Sequence, residues 1–148
     1  MGVIVERQVE VRWRDTDAMR HVNHAVFLTY LEEGRDAFYA QVLGDPFYVV
    51  VRVELDLRAE VTHEDRRVTV RVEAERVGTT SLTTRETIIG PAGRTVAQAR
   101  VVTVRWDPDQ RKPVPFSDEE RARALADCAS PMEDDPPSTP RRGANSAS

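Results

Sequence analysis

The sequence predicts an α+β domain in which a curled antiparallel sheet of about five strands wraps around one long central helix. Three observations carry that expectation. Apolar and charged residues alternate strictly in several blocks, one block near the N terminus has helical spacing instead, and short turn-like links separate the later blocks. Width completes the argument. Five strands at about 4.8 Å spacing make a sheet roughly 24 Å across, whereas a helix is only about 10–12 Å wide. The sheet must curl around the helix, pair with a second subunit, or do both.

The elements follow in chain order. Val9, Val11 and Trp13 alternate with Glu10, Arg12 and Arg14, which predicts a first strand with its apolar side inward. From His24 to Leu43, the residues Phe27, Tyr30, Leu31, Gly34, Phe38 and Val42 fall mostly at three- and four-residue steps, one face of a helix. Asn23 is its expected N-cap and Gly44-Asp45-Pro46 its stop. Alternation returns at Val51, Val53, Leu55 and Leu57, then at Val68, Val70, Val72 and Ala74, and again at Val102, Val104 and Trp106. Between the last two, Thr79 to Ile89 is a threonine-rich strand. The links at Thr62 to Arg66, Val77-Gly78-Thr79 and Gly90-Pro91-Ala92-Gly93 read as turns, so consecutive strands are expected to pair antiparallel. Ser117-Asp118-Glu119-Glu120 caps a short helix expected to run to about Asp127. About 20 helical residues span roughly 30 Å, close to the roughly 33 Å of a ten-residue strand. Strand, helix, then four strands wrapped on that helix is the layout of a hot-dog fold.

Composition narrows the function. Of 148 residues, 40% are hydrophobic and 31% charged, enough for one domain with a real core. We expect that domain over residues 1–129 and a disordered tail over 130–148, where four prolines and four serines accompany almost nothing apolar. The net charge of −4 argues against a nucleic-acid partner. The longest apolar run, Phe47 to Val51, is far short of the roughly 20 residues that span a bilayer, so no membrane insertion is expected. Met1 to Glu6 does not read as a secretory signal, and the expected location is cytoplasmic. A single cysteine, Cys128, excludes an internal disulfide or a CxxC metal site. Lys112 is the only lysine against 20 arginines, which we read as codon bias, so a lone arginine is weak evidence for an anion site.

The segment from Arg14 to His24 carries the chemistry. Asp15, Asp17, His21, Asn23 and His24 crowd the approach to the helix. A helix N terminus presents unpaired N–H groups and about half a positive charge. Such an end can hold a polarised carbonyl oxygen while a carboxylate attacks the carbon or activates water. Other readings of the same residues are a His21/His24 metal pair with nearby aspartates, and Asp15 or Asp17 as turn residues bonded to backbone. Glu32 and Glu33 read as a solvated face, with Glu32 paired to Arg35 or one of the two serving as a second acid.

Asp15-Thr16-Asp17-Ala18, His21-Val22-Asn23, Ala25-Val26-Phe27-Leu28 and Tyr30-Leu31-Glu32-Glu33-Gly34-Arg35 resemble the signature of the 4-hydroxybenzoyl-CoA thioesterase family, nearest its long-chain acyl-CoA branch. The resemblance implies an acyl-CoA thioesterase that needs no cofactor or metal and works as a homodimer or homotetramer, with sites at the subunit boundary. It implies that Asp17 is the catalytic carboxylate, that the His24 N–H polarises the thioester carbonyl, and that Asn23 stands beside them. It also places Thr80 and Ser81 of Gly78-Thr79-Thr80-Ser81 along the pantetheine channel. Two positions depart from the pattern: Arg20 replaces a glycine and His24 a second asparagine. Arg20 is therefore a candidate for binding an anionic part of the substrate, and a left-handed backbone there would cost roughly 1–2 kcal/mol. The alternative activities are a non-catalytic acyl-CoA or acyl-carrier binding module and, last, a hydratase on the same fold.

Overall fold

A computed structural model of the chain describes residues 2–126 and 132–133. Five long strands form the sheet: β1 (Ile4–Glu10), β2 (Tyr48–Leu57), β3 (Arg67–Val77), β4 (Ser81–Ile89) and β5 (Thr95–Asp107). Two-residue strands β6 (Lys112–Pro113) and β7 (Met132–Glu133) pair with β5 and β1. The helix α1 (His24–Phe38) continues through a wider last turn at Tyr39–Leu43, and a second helix α2 spans Asp118–Leu125. The disorder expected over 130–148 and the residue Cys128 lie outside the described residues, apart from β7.

The expected hot-dog architecture is present: a curled antiparallel sheet around one long helix. Sheet order is β2-β5-β4-β3-β1. The link 58–66 therefore does not join neighbours, contrary to the expected pairing of consecutive strands. It carries the chain past two strands, and Val61 within it is fully buried.

Local signals set the helix as expected. The Asn23 side chain accepts the Ala25 N–H at 3.0 Å, and Gly44 ends the helix at φ 68°. Its apolar face, Phe27, Tyr30, Leu31, Ala37 and Phe38, packs on the inward residues of β1 and β3, where Val5, Val68, Val70 and Val72 are buried. Gly34 permits the close approach, since a Cβ there would run into Val70 and lie 3.1 Å from Val72 Cγ2.

Three strand readings need correction. β1 starts earlier than expected and stops before Trp13, which is 76% exposed. The Asp15 carboxylate accepts the Arg12 N–H at 2.9 Å and bends the chain into a single helical turn at Trp13–Asp15. In β5 the inward residues are Ala97, Ala99, Val101 and Thr103, not Val102, Val104 and Trp106. The inward Thr103 hydroxyl is satisfied by the Tyr39 hydroxyl at 2.5 Å. In β2 the apolar row is not half-buried but open: Val51 is 58% and Leu57 51% exposed. β2 is an edge strand with a register shift between Val50 and Arg52, and α1 lies over the other side of the sheet.

The opposite end of the fold is closed by α2. A reciprocal cap between Ser117 and Glu120 starts it, as expected. Arg121 donates to the carbonyls of Val77 and Gly78, and Arg123 to that of Val42.

Candidate active site

The residues between β1 and α1 form a small hairpin. Thr16 and Val22 pair antiparallel, the Asp17 N–H donates to the His21 carbonyl and the Arg20 N–H to the Asp17 carbonyl, both at 2.9 Å. This is a three-residue hairpin loop whose last residue is left-handed, and Arg20 sits there at φ 64°. The backbone at this departure from the family glycine is left-handed, and the strain is carried by an arginine. The hairpin is pinned on both sides, by Val22 N–H to the Val61 carbonyl at 2.7 Å and Asn23 N–H to the Asp15 carbonyl at 2.9 Å.

The two aspartates of the loop have separate environments. Asp15 is buried, and its Oδ2 accepts from the Tyr30 hydroxyl at 2.7 Å and the Arg12 N–H at 2.9 Å. Burial, and then the bond to Asp15, pushes Tyr30 ionisation well above the usual phenol range, so the hydroxyl remains a donor. Asp15 thus holds the loop to the helix. Asp17 is exposed. Its Oδ1 accepts the Met19 N–H at 2.9 Å, while its Oδ2 lies 3.5 Å from Asn23 Nδ2. That second contact is long and leaves Oδ2 open to another partner.

Asn23 joins this carboxylate to the helix. Its Oδ1 takes the Ala25 N–H and its carbonyl the Val26 N–H, at 3.0 and 2.8 Å. The His24 N–H, in the first helical position, has no acceptor among the described residues. An anionic side chain and an uncapped N–H therefore flank one asparagine at the positive end of α1. The His21 ring is taken up elsewhere, with Nε2 2.5 Å from Glu60 Oε2.

Thr80 and Ser81 are not brought to this corner within one chain. They lie where β4 begins, beside the end of β3, with the Thr80 carbonyl bonded to Arg105 N–H at 2.9 Å and the Ser81 carbonyl to Gly78 N–H at 2.7 Å. The hairpin sits at the start of β3, so the length of an 11-residue strand, roughly 36 Å, separates the two places.

The reading of Glu32 with Arg35 is also corrected. Glu32 and Glu33 are exposed, while Arg35 is buried and bonds Glu86 through Nε–Oε2 at 3.0 Å and Nη2–Oε1 at 2.9 Å. Thr84 Oγ1 donates to the same carboxylate at 2.6 Å. Burial raises the Glu86 pKa, and Arg35 and Thr84 pull it back. A signal for this pair was in the sequence: Arg35 falls beside the apolar face of the helix, and Glu86 shares the inward phase of β4 with Thr84 and Ile88.

Known proteins agree with the fold. A thioesterase from Thermus thermophilus, crystallised with coenzyme A and Zn, is 31% identical over 82% of this chain and 98% of its own, with a TM-score of 0.73. A predicted thioesterase from Bacillus stearothermophilus is 28% identical over 82% and 94%, also at 0.73. A 1,4-dihydroxy-2-naphthoyl-CoA thioesterase from Synechocystis shares the fold at 18% identity, covering 82% and 95% with a TM-score of 0.68. No curated protein matches the sequence. Fold and relatives together define the class, a thioester hydrolase of hot-dog architecture. The chain belongs to the thioesterase-like superfamily, whose family model matches residues 11–124.

Proposed function

We propose that the protein is an acyl-CoA thioesterase in which Asp17 supplies the carboxylate and the His24 N–H the oxyanion donor. The observation that carries this reading is their common neighbour, since Asn23 contacts Asp17 with one end of its carboxamide and caps the helix with the other. The substrate carbonyl oxygen accepts from the His24 N–H, which lies at the positive end of α1 and gains strength as negative charge develops. Asp17 either attacks the carbonyl carbon or removes a proton from an attacking water. The C–S bond breaks, the coenzyme A sulfur leaves as thiol, and water supplies the hydroxyl of the carboxylic acid. The resemblance of residues 15–35 to the long-chain acyl-CoA branch favours coenzyme A thioesters as the substrate class.

Among the described residues of one chain no three ligating side chains converge and His21 is paired with Glu60, so the mechanism is written on Asp17 and the His24 N–H alone.

We propose further that the site is completed by a second copy. β2 is an open edge with exposed valines on it, a surface that pairing with another β2 would cover. Two such edges related by a two-fold run antiparallel. The start of β4 in one copy then lies at the same end of the joint sheet as the helix N terminus of the other. Thr80 and Ser81 of a second copy thereby reach the Asp17 side, which they do not within one chain. In this reading Arg20, exposed in the same loop as Asp17, meets an anionic substrate group.

A thiol-release screen over short, long and aromatic acyl-CoAs tests the activity, with sedimentation to read the assembly. Turnover of at least one acyl-CoA class by a dimer or tetramer is the expected result. Uptake of acyl-CoA without thiol release would make the protein a binding module instead.

A further inference from the structure

A cavity of ≈ 580 Å³ opens where β1 ends and β3 begins, away from the β2 edge, with Glu10, His63, Glu64, Arg66 and Arg67 among its walls. Beside it stands Trp13. Its ring meets the His63 ring edge-on, with centroids 5.6 Å apart, yet Trp13 remains 76% exposed. An indole left in water forgoes the stabilisation that burial brings, and no contact in the fold uses the outer surface of this one.

The cations beside it are uncommitted. Arg35, Arg52, Arg94, Arg100, Arg105 and Arg123 all have carboxylate partners. The guanidinium groups of Arg66 and Arg67 have none among the described residues. The corner is also preformed. Thr62 N–H donates to Asp65 Oδ2 at 2.9 Å, and Val11 N–H to the Arg66 carbonyl at 2.8 Å, which fixes Arg66 at φ 65°.

An open aromatic face, two unpaired guanidinium groups and two carboxylates match a purine nucleotide part by part. The base stacks on the indole, phosphates take the arginines, and Glu10 or Glu64 accepts from an exocyclic amine. We propose that this corner seats the phosphorylated adenosine end of the coenzyme A thioester. The identity of the nucleotide rests on the thioesterase reading above. Reach supports the assignment, because Trp13 and Asp17 are four positions apart, which holds their Cα atoms within about 14 Å. The pantetheine arm has about as many bonds between sulfur and diphosphate as four residues have in their backbone, so it bridges the same span.

The test labels the protein with 5-fluorotryptophan, which gives separate fluorine resonances for its two tryptophans, Trp13 and Trp106. The resonance missing from Trp13→Ala is that of Trp13. Adenosine 3′,5′-bisphosphate should shift that resonance alone, saturably, and the shift should vanish in the Arg66→Ala/Arg67→Ala double variant. In kinetics, Trp13→Ala should raise KM about ten-fold for an acyl-CoA and leave KM unchanged for the same acyl group on pantetheine. An unmoved Trp13 resonance, or equal KM changes on both thioesters, overturns the nucleotide seat while leaving the thioesterase reading intact. Absence of thiol release from every thioester defeats the thioesterase reading, and the bisphosphate titration still decides on the corner. A Trp13 resonance shifted only by an added protein, and by no nucleotide, would show a docking surface and refute the proposal.

Discussion

Asn23 Nδ2 lies 3.5 Å from Asp17 Oδ2, and the same side chain accepts the Ala25 N–H at 3.0 Å. One carboxamide thus sets the distance between a loop carboxylate and the first turn of a helix. Its two ends separate experimentally. Asn23→Asp keeps the cap, since aspartate and asparagine cap equally well, but it loses the donor and sets a like charge against Asp17. We expect near-native melting with a marked fall in kcat. Asn23→Ala loses both, with about 1 kcal/mol of stability from the cap. Equal kcat in Asn23→Asp and the native protein would mean that Asn23 only caps.

Arg20 carries backbone strain in the same loop, at φ 64°. Arg20→Gly removes roughly 1–2 kcal/mol of it, of which about 0.4–1 kcal/mol is returned through the freer unfolded chain. The variant should melt a few degrees higher. If Arg20 also meets an anionic group of the substrate, KM rises while kcat is retained. A higher melting temperature with unchanged KM on every acyl-CoA would reduce Arg20 to a strained loop residue.

Arg35 and Glu86 are 3% and 0% exposed and bonded twice. Breaking such a pair from one side leaves a buried charge, which typically costs about 3–5 kcal/mol. Glu86→Leu and Arg35→Met should each be strongly destabilised in urea melts, and Arg35→Met/Glu86→Leu should recover much of the loss. Additive losses in the double variant would show that the two side chains act independently.

Glu120 gives a pH dependence with a defined sign. Burial works to raise its pKa, but the Ser117 N–H, the Ser117 hydroxyl and the Arg105 guanidinium outweigh it and hold the carboxyl below the usual range. Its contribution is present in full above the unfolded pKa, about 4.3, and fades as pH falls through the lower folded value. The protection factors of the α2 amides, which are corrected for the intrinsic pH dependence of exchange, should therefore fall in acid. In Glu120→Gln that acid step should be missing, and its persistence would place the sensitivity on another carboxylate.

The parts of the fold that were legible in the sequence are the local ones. The helix, its Asn23 cap, the Gly44 stop and the Ser117/Glu120 cap are each decided within a few residues, and each stands as read. Strand order is not local. The alternation of Val51, Val53, Leu55 and Leu57 marks a strand but cannot say that it lies at the sheet edge, where, among the described residues, only Tyr48 at its start bonds α1, through Asp36. The phase of β5 was missed because Thr103 looks like an outward residue until Tyr39, 64 positions away, supplies its partner. In the site, adjacency along the chain gave the cluster around Asp17. Only geometry divided the labour between Asp15, buried against Tyr30, and Asp17, exposed beside Asn23. Thr80 and Ser81, which the resemblance puts along the pantetheine channel, lie a strand's length from that cluster within one chain, and no local signal carries that distance.

The central claim is that the Asp17 carboxylate turns over the thioester, and the measurement is the rate of free-thiol release by Asp17→Asn across the acyl-CoA panel. Asp17 is exposed, so asparagine should fit without altering the melting temperature. The account predicts a rate lower by about 10²–10⁴ on every acyl-CoA that the native protein cleaves. Native-like rates in a correctly folded Asp17→Asn would contradict it.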